Sequence, residues 1–211
     1  IHLSKVSHLQ LYDLQIEDVK ANGLNIDDGG DLTRPSTDVV IERIAIRNTP
    51  RGNNDGIKLS GLRRFRLTGC LVQHWGGSAV DMVGCHDGAI ENCLFESGGD
   101  SGVQAKGGSS RITVCTSRFI EPGQRGVNLG GSTGPEFFRP PLKQVLACNR
   151  AEARDLVVEG CTFVGGVAPI AFVGVDGARV RYNTIYQPTR WALRILQETR
   201  LDGFVPCRNG V

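Results

Sequence analysis

The feature that most constrains this chain is a short phrase that returns seven times, with apolar positions interleaved with outward positions of changing chemistry. It reads GLNIDDG from Gly23, GIKLSG from Gly56, AVDMVG from Ala79, GVQAKGG from Gly102, GVNLGG from Gly126, PIAFVG from Pro169 and ALRILQ from Ala192. The start-to-start spacings are 33, 23, 23, 24, 43 and 23 residues, so a basic unit of 23 is interrupted twice by insertions, which belong in loops.

A second phrase recurs inside every unit, and its residues align in columns. One column runs Leu9, Val39, Phe65, Gly88, Ile112, Leu156 and Ala178; the next runs Leu11, Ile41, Leu67, Ile90, Val114, Val158 and Val180. After a break come Leu14, Ile44, Cys70, Cys93, Ser117, Cys161 and Asn183, then Ile16, Ile46, Val72, Phe95, Phe119, Phe163 and Ile185. Alternation of period two marks β-strands, because successive side chains point to opposite faces. A strand-turn-strand unit of this length has no room for a helix of about 10 to 12 residues, which removes the leucine-rich and βαβ repeats. What remains is an all-β parallel β-helix of about seven to eight coils.

On these columns the chain resembles the right-handed parallel β-helix repeat proteins of bacteria over almost all of its 211 residues. The resemblance implies one elongated domain, residues 1–211, with its core built as a one-dimensional stack. The sequence opens inside a coil at Ile1 and ends soon after Cys207 with no amphipathic cap at either end, which reads as an excerpt of a longer protein. Uncapped coils leave two expectations open, a monomer or end-to-end self-association.

Composition narrows the partners. A formal net charge of +2 is too small for a nucleic-acid or membrane surface, and no apolar run is long enough to span a bilayer. Nineteen of the 24 cations are Arg, a residue suited to planar recognition of carboxylates. The seven Cys contain no CxxC pair, so no zinc site is assigned, and Cys70, Cys93 and Cys161 in one inward column read as reduced core filling. Asp27, Asp28 and Asp31 lack the spacing of a calcium loop, so no metal or other cofactor is assigned.

The two insertions, about 28–38 and about 130–152, leave from the same corner, the end of the first strand, and are expected to flank a groove. Its floor is two outward columns. One runs Asn25, Lys58, Asp81, Gln104, Asn128, Ala171 and Arg194; the other runs Asp27, Ser60, Val83, Lys106, Gly130, Val173 and Leu196. Polarity concentrates between the insertions and fades after the second. A strip about 20 to 25 Å long at β spacing suits an extended polymer better than a compact metabolite. The expected catalytic residues are Lys106, Arg125 and Asp81, with Lys58, Gln104, Asn128 and Arg139 as substrate contacts. A Lys beside carboxamides and an Arg can neutralise a uronate carboxylate and move the proton next to it. Phe137 and Phe138 serve as a sugar wall or as loop anchors, and His74-Trp75 reads as a turn-packing Trp beside a solvated His.

Lys106 in GVQAKGG is similar to the lysine that polysaccharide lyases of the chondroitinase B and alginate lyase group carry at the second outward position of a first strand. That resemblance implies proton abstraction from an acidic polysaccharide. The chain departs from the group in the following coil, with Gly130 where such enzymes place an Arg, and Ser101 and Val103 where they hold calcium ligands, so Arg125 or Arg139 would have to substitute. Asn53-Asn54-Asp55-Gly56 echoes a polygalacturonase segment, but the paired Asp and Gly-His-Gly are missing, and Asp55-Gly56 reads as a turn. The expected function is therefore a carbohydrate-active protein acting on an extended acidic polysaccharide by β-elimination or epimerisation. The alternative is a non-catalytic glycan-binding or structural module of a surface or secreted protein. The compartment is not readable from the sequence, and only the expected function favours an extracellular or periplasmic setting.

Overall fold

In the structure, a computed structural model that describes residues 1–210, every coil carries three strands. Eight parallel strands make the first sheet: His2–Ser4, Leu24–Asp27, Ile57–Ser60, Ser78–Val83, Ser101–Lys106, Arg125–Gly130, Ile170–Val173 and Leu193–Leu196. Seven strands, Ser7–Tyr12 to Val175–Arg181, form the second sheet, and seven, Gln15–Glu17 to Thr184–Tyr186, the third. The chain is thus a parallel β-helix of seven to eight coils. The second repeated phrase is two strands rather than one. Its break falls on Asp13, Arg43, Gly69, Asn92, Thr116, Gly160 and Tyr182, which all have positive φ and turn the chain sharply into the third sheet. A member of the first phrase also precedes those in the sequence reading, the strand His2–Ser4, which pairs with Leu24–Asp27.

Register pairs follow the aligned columns coil by coil: Leu9 to Val39, then Phe65, Gly88, Ile112, Leu156 and Ala178. The core is the stack of these residues. Phe95, Phe119 and Phe163 are fully buried with ring centroids 5.0 and 4.7 Å apart, a geometry favourable to offset stacking. The small polar column after the break satisfies corner amides. Ser117 Oγ accepts from Cys93 N at 3.2 Å, and Asn183 Oδ1 accepts from Cys161 N at 2.9 Å. Cys70, Cys93 and Cys161 are buried free thiols in this column.

Both insertions leave between the first and second sheets. The second is not wholly loop: it holds a 3-10 turn, Pro135–Phe137, and a helix, Leu142–Cys148, whose Val145 packs inward. Beyond Leu196 the chain turns back along the stack, where Phe204 packs on Phe138 at 5.6 Å, Val205 N donates to Arg150 O at 2.9 Å, and Arg208 pairs with Asp176 at 2.8 Å. Among the described residues no helix is long and apolar enough to cross a membrane.

Candidate functional site

Pleating of the first sheet fixes which side chains face out. Lys58, Asp81, Gln104 and Asn128 are direct register partners on successive strands, and Val83 and Lys106 pair in the neighbouring column. At the centre lies Asp81, 1% exposed despite its outward position, because two ammonium groups cover it. Lys58 Nζ donates to Asp81 Oδ2, and Lys106 Nζ lies 3.5 Å from Oδ1 and 3.3 Å from Gln104 Oε1. Asp55 completes the cluster, with Oδ2 3.5 Å from Lys58 Nζ and Oδ1 accepting from Ser78 N at 2.7 Å. Two carboxylates and two ammonium groups balance formally. Burial, then the charge of Asp81, pushes the Asp55 carboxyl above its ordinary range. Burial pulls the Lys58 ammonium down, but the Asp81 and Asp55 carboxylates outweigh it and hold Lys58 above its ordinary value. Sequence reasoning treated Asp55 as a turn residue and missed this contact.

Two neighbouring basins lie over this floor. The larger, about 1110 Å³, is bounded by the turns at residues 48–53, 74–77 and 97–100 and reaches Gln104, Lys106 and Arg125. The smaller, about 620 Å³, runs over Lys58, Ser60 and Val83 to His2, Asp27 and Phe137. Asn53, Lys106 and Ser132 line both, so Lys106 stands at their junction. The first wall is possible because a glycine column, Gly76, Gly99 and Gly123, lets successive turns stack backbone on backbone. A Cβ on Gly76 would sit 1.8 Å from Pro50 O, and one on Gly99 1.9 Å from Gly76 O. Trp75 is buried beneath Gly98 in this wall while His74 is exposed.

The insertions do not stand as two flanks. They close on each other along one side: Arg139 of the second donates to both oxygens of Asp28 of the first. The linkage lies over Gly61 and Gly84, where a Cβ would meet the Arg139 side chain. Arg139, expected as a substrate contact, is 9% exposed and committed to this clamp. Phe138 is an anchor with no exposure, whereas Phe137 is 53% exposed at the rim of the smaller basin. Arg125, expected in catalysis, donates to Glu198 of the returning C-terminal segment, and Asn128 is fully buried. The buried Glu152 carboxylate ties the same region together, accepting from Gly107 N at 3.1 Å, from Thr133 N at 3.1 Å and Oγ1 at 2.8 Å, and from Thr199 Oγ1. Burial raises its carboxyl above the ordinary value despite these donors.

Of the predicted residues, the structure thus brings Lys58, Asp81, Gln104 and Lys106 together, keeps Arg125 on the wall of the larger basin paired with Glu198, and sets Arg139 apart in an ion pair with Asp28. Asp27 at the near end of the strip is saturated, facing His2 Nε2 at 2.7 Å, Asn25 Nδ2 at 2.9 Å, Gly29 N at 2.8 Å and Ser4 Oγ. Asp81 faces lysines, so neither carboxylate presents the free edge that a hydrolytic pair needs. Among the described residues no three His, Cys, Asp or Glu side chains converge as metal ligands would.

Residues 1–139 match the family described as right handed beta helix region. None of the curated proteins matches the sequence. Among solved structures, the chain is similar to pectate lyase Pel9A, with 12% identity and a TM-score of 0.48 over 83% of this chain and 45% of that one. It is also similar to the tailspike protein of E. coli bacteriophage HK620 in complex with pentasaccharide, with 9% identity and a TM-score of 0.39 over 98% and 54% of the two chains. A third is alginate lyase from Paenibacillus sp. str. FPU-7, with 10% identity and a TM-score of 0.35 over 95% and 99%. The chain spans about half the length of the first two.

Proposed function

The chain belongs to the right-handed β-helix family, and from the groove on its first sheet we propose that it is a carbohydrate-active protein acting on an extended acidic polysaccharide. The observation that carries this reading is Lys106 at the junction of two basins, with its ammonium steered by Asp81 and Gln104. A groove of this kind accepts several residues of a polymer, and the two lysines on its floor offer ammonium hydrogen-bond donors to acidic units.

The reaction proposed is β-elimination. Lys106, after releasing its own proton to solvent, takes the proton next to the uronate carboxylate. The electron pair left behind forms a carbon–carbon double bond as the glycosidic C–O bond breaks, and the Lys106 ammonium returns its proton to the departing oxygen. Epimerisation shares the first step and ends with a proton from a water on the opposite face of the carbon, while Lys106 keeps the one it removed. Lys58, held by Asp81 and Asp55, presents its ammonium to the smaller basin as a hydrogen-bond donor for the substrate carboxylate.

One observation favours the second reading, a non-catalytic glycan-binding module: both arginines that an elimination would recruit are occupied, Arg139 by Asp28 and Arg125 by Glu198. Affinity electrophoresis through gels containing alginate, pectate or a glycosaminoglycan tests the shared claim. Retardation by at least one polymer that is lost in Lys106→Ala and in Lys58→Ala supports the groove. Equal mobility of both variants and the parent in every gel refutes it.

A further inference from the structure

The far end of the groove holds a polar side chain that the fold leaves without a partner. Asn128 lies in the outward column next to Gln104, is 0% exposed, and neither its amide nitrogen nor its oxygen has a hydrogen-bond partner. Burying an amide unpaired costs free energy, so its neighbourhood is completed by something else or is built to open. The strand that carries it is held at both ends by chain from far away in sequence. Glu198 meets Arg125 at the start of the strand Arg125–Gly130, and Thr199 Oγ1 donates to Gly131 O at 3.1 Å just past its end. Residues 198–199 therefore bridge the two ends of the strand that carries Asn128.

The chemistry of that contact is specific. Glu198 offers both oxygens to the Arg125 guanidinium, a fork that matches a carboxylate in two hydrogen bonds. It does so on the wall of the larger basin, which Arg125 and Glu198 line together with Gln104 and Lys106. The Arg125 side chain is 15% exposed and that of Glu198 33%, so the carboxylate can swing away without moving the coils. A carboxylate held by an arginine in the basin that Lys106 also lines, on the strand of an unsatisfied carboxamide, has the form of the ligand that the groove is read as binding.

We propose that Arg125 and Asn128 form a carboxylate subsite of the groove, next to Lys106, and that the chain's own Glu198 occupies it as an internal stand-in for a substrate carboxylate. This rests on the acidic-polysaccharide reading for the identity of the natural occupant, but the subsite itself is defined by carboxylate chemistry. Displacing Glu198 frees the guanidinium, and lifting residues 198–199 gives Asn128 the partners it lacks. The groove then lengthens by one coil, and each acidic unit bound there competes with Glu198.

The test uses acetate as the simplest carboxylate, with chloride as the control at constant ionic strength. Nuclear magnetic resonance follows the Arg125 Nε–H and the Asn128 side-chain amide in the parent, in Glu198→Gln and in Glu198→Gln combined with Arg125→Gln. If Glu198 fills the subsite nine-tenths of the time, its removal raises the apparent acetate affinity about tenfold. The expected result is a saturable shift of both signals in Glu198→Gln, at least tenfold weaker in the parent and absent in the double variant. Unchanged acetate response on removing Glu198, or no response of Arg125 and Asn128 in any form, overturns the proposal. A parallel titration with oligomers of alginate and pectate observes Lys106. A response at Lys106 with none at Arg125 defeats the subsite and spares the groove reading, whereas an acetate response at Arg125 with silence at Lys106 for every oligomer does the reverse. Melting temperatures within a few degrees of the parent show that each variant is folded.

Discussion

Replacing Asp28 by Asn removes the charge that holds Arg139 and keeps the shape of the side chain. Removing one partner of a buried ion pair costs about 3 to 5 kcal/mol, against about 0 to 1 kcal/mol for an exposed pair. This pair belongs to the first kind, with the Arg139 and Asp28 side chains 11% and 1% exposed. In the variant the guanidinium keeps only the Phe137 carbonyl, at 2.9 Å, while position 28 keeps the Gly30 amide. The insertions can undock without unwinding the coils, so the fall in global stability is bounded by what their docking contributes. A loss of about 2 to 4 kcal/mol in urea unfolding is expected, together with faster amide exchange at residues 28–35 and 132–141. Arg139→Gln is expected to lose the same amount, and the double variant no more than the larger single loss, because the two side chains share one interaction. The reasoning fails if Arg139→Gln weakens glycan binding tenfold while its unfolding free energy stays within about 0.5 kcal/mol of the parent. Arg139 would then be a ligand contact and not a clamp.

Three further outcomes are expected. Phe119→Ala, which empties the middle of the Phe95, Phe119 and Phe163 stack, destabilises by about 3 to 5 kcal/mol in urea unfolding, and a cost under about 1 kcal/mol would contradict the inward stack. Burial, with Arg111 and Arg63 close by, depresses the His86 imidazole from 6.5 to about 4. A depressed base favours the folded state above its unfolded value, so the His86 contribution is complete above about 6.5 and is lost as pH falls toward 4, worth about 3 kcal/mol at most; His86→Asn should flatten that part of the stability profile relative to the parent, and an unchanged slope would refute the assignment. Cys70 and Cys93 are free thiols, so alkylation without reductant should label both on unfolding and neither in the folded protein, and absence of label after unfolding would reveal a disulfide.

The fold was legible because a solenoid repeats its demands. Each coil must bury the same positions, so Leu9, Val39, Phe65 and their successors carry the register in the sequence itself, and even Gly88 has a reason, since a Cβ there would lie 2.1 Å from the Phe65 ring. Corners were harder to read. Arg43, Thr116 and Tyr182 take the same left-handed conformation as Gly69 and Asn92, so residue type hid the turn that divides the second phrase into two strands. The strand His2–Ser4 escaped because it contributes a single inward residue, Leu3, to the pattern.

For the site, the outward columns Lys58, Asp81, Gln104 and Lys106 were readable because strand register follows the repeat. The contacts that modify them were not. Asp28 and Arg139 lie 111 residues apart and Arg125 and Glu198 73 apart, each joining a nonrepeating segment to another part of the chain. No period aligns such partners. Only an unpaired buried charge, evident once burial is known, demands that they meet.

The measurement that tests the central claim most directly is ultraviolet detection of unsaturated uronate products from alginate, pectate and glycosaminoglycans, run on the parent and Lys106→Ala with and without calcium. The account predicts product from at least one polymer with the parent and none with Lys106→Ala, assayed at a temperature where its circular dichroism spectrum matches that of the folded parent. Product formed equally by both proteins would remove Lys106 from the chemistry, and silence of the parent on every polymer that it binds would contradict elimination and leave the glycan-binding module.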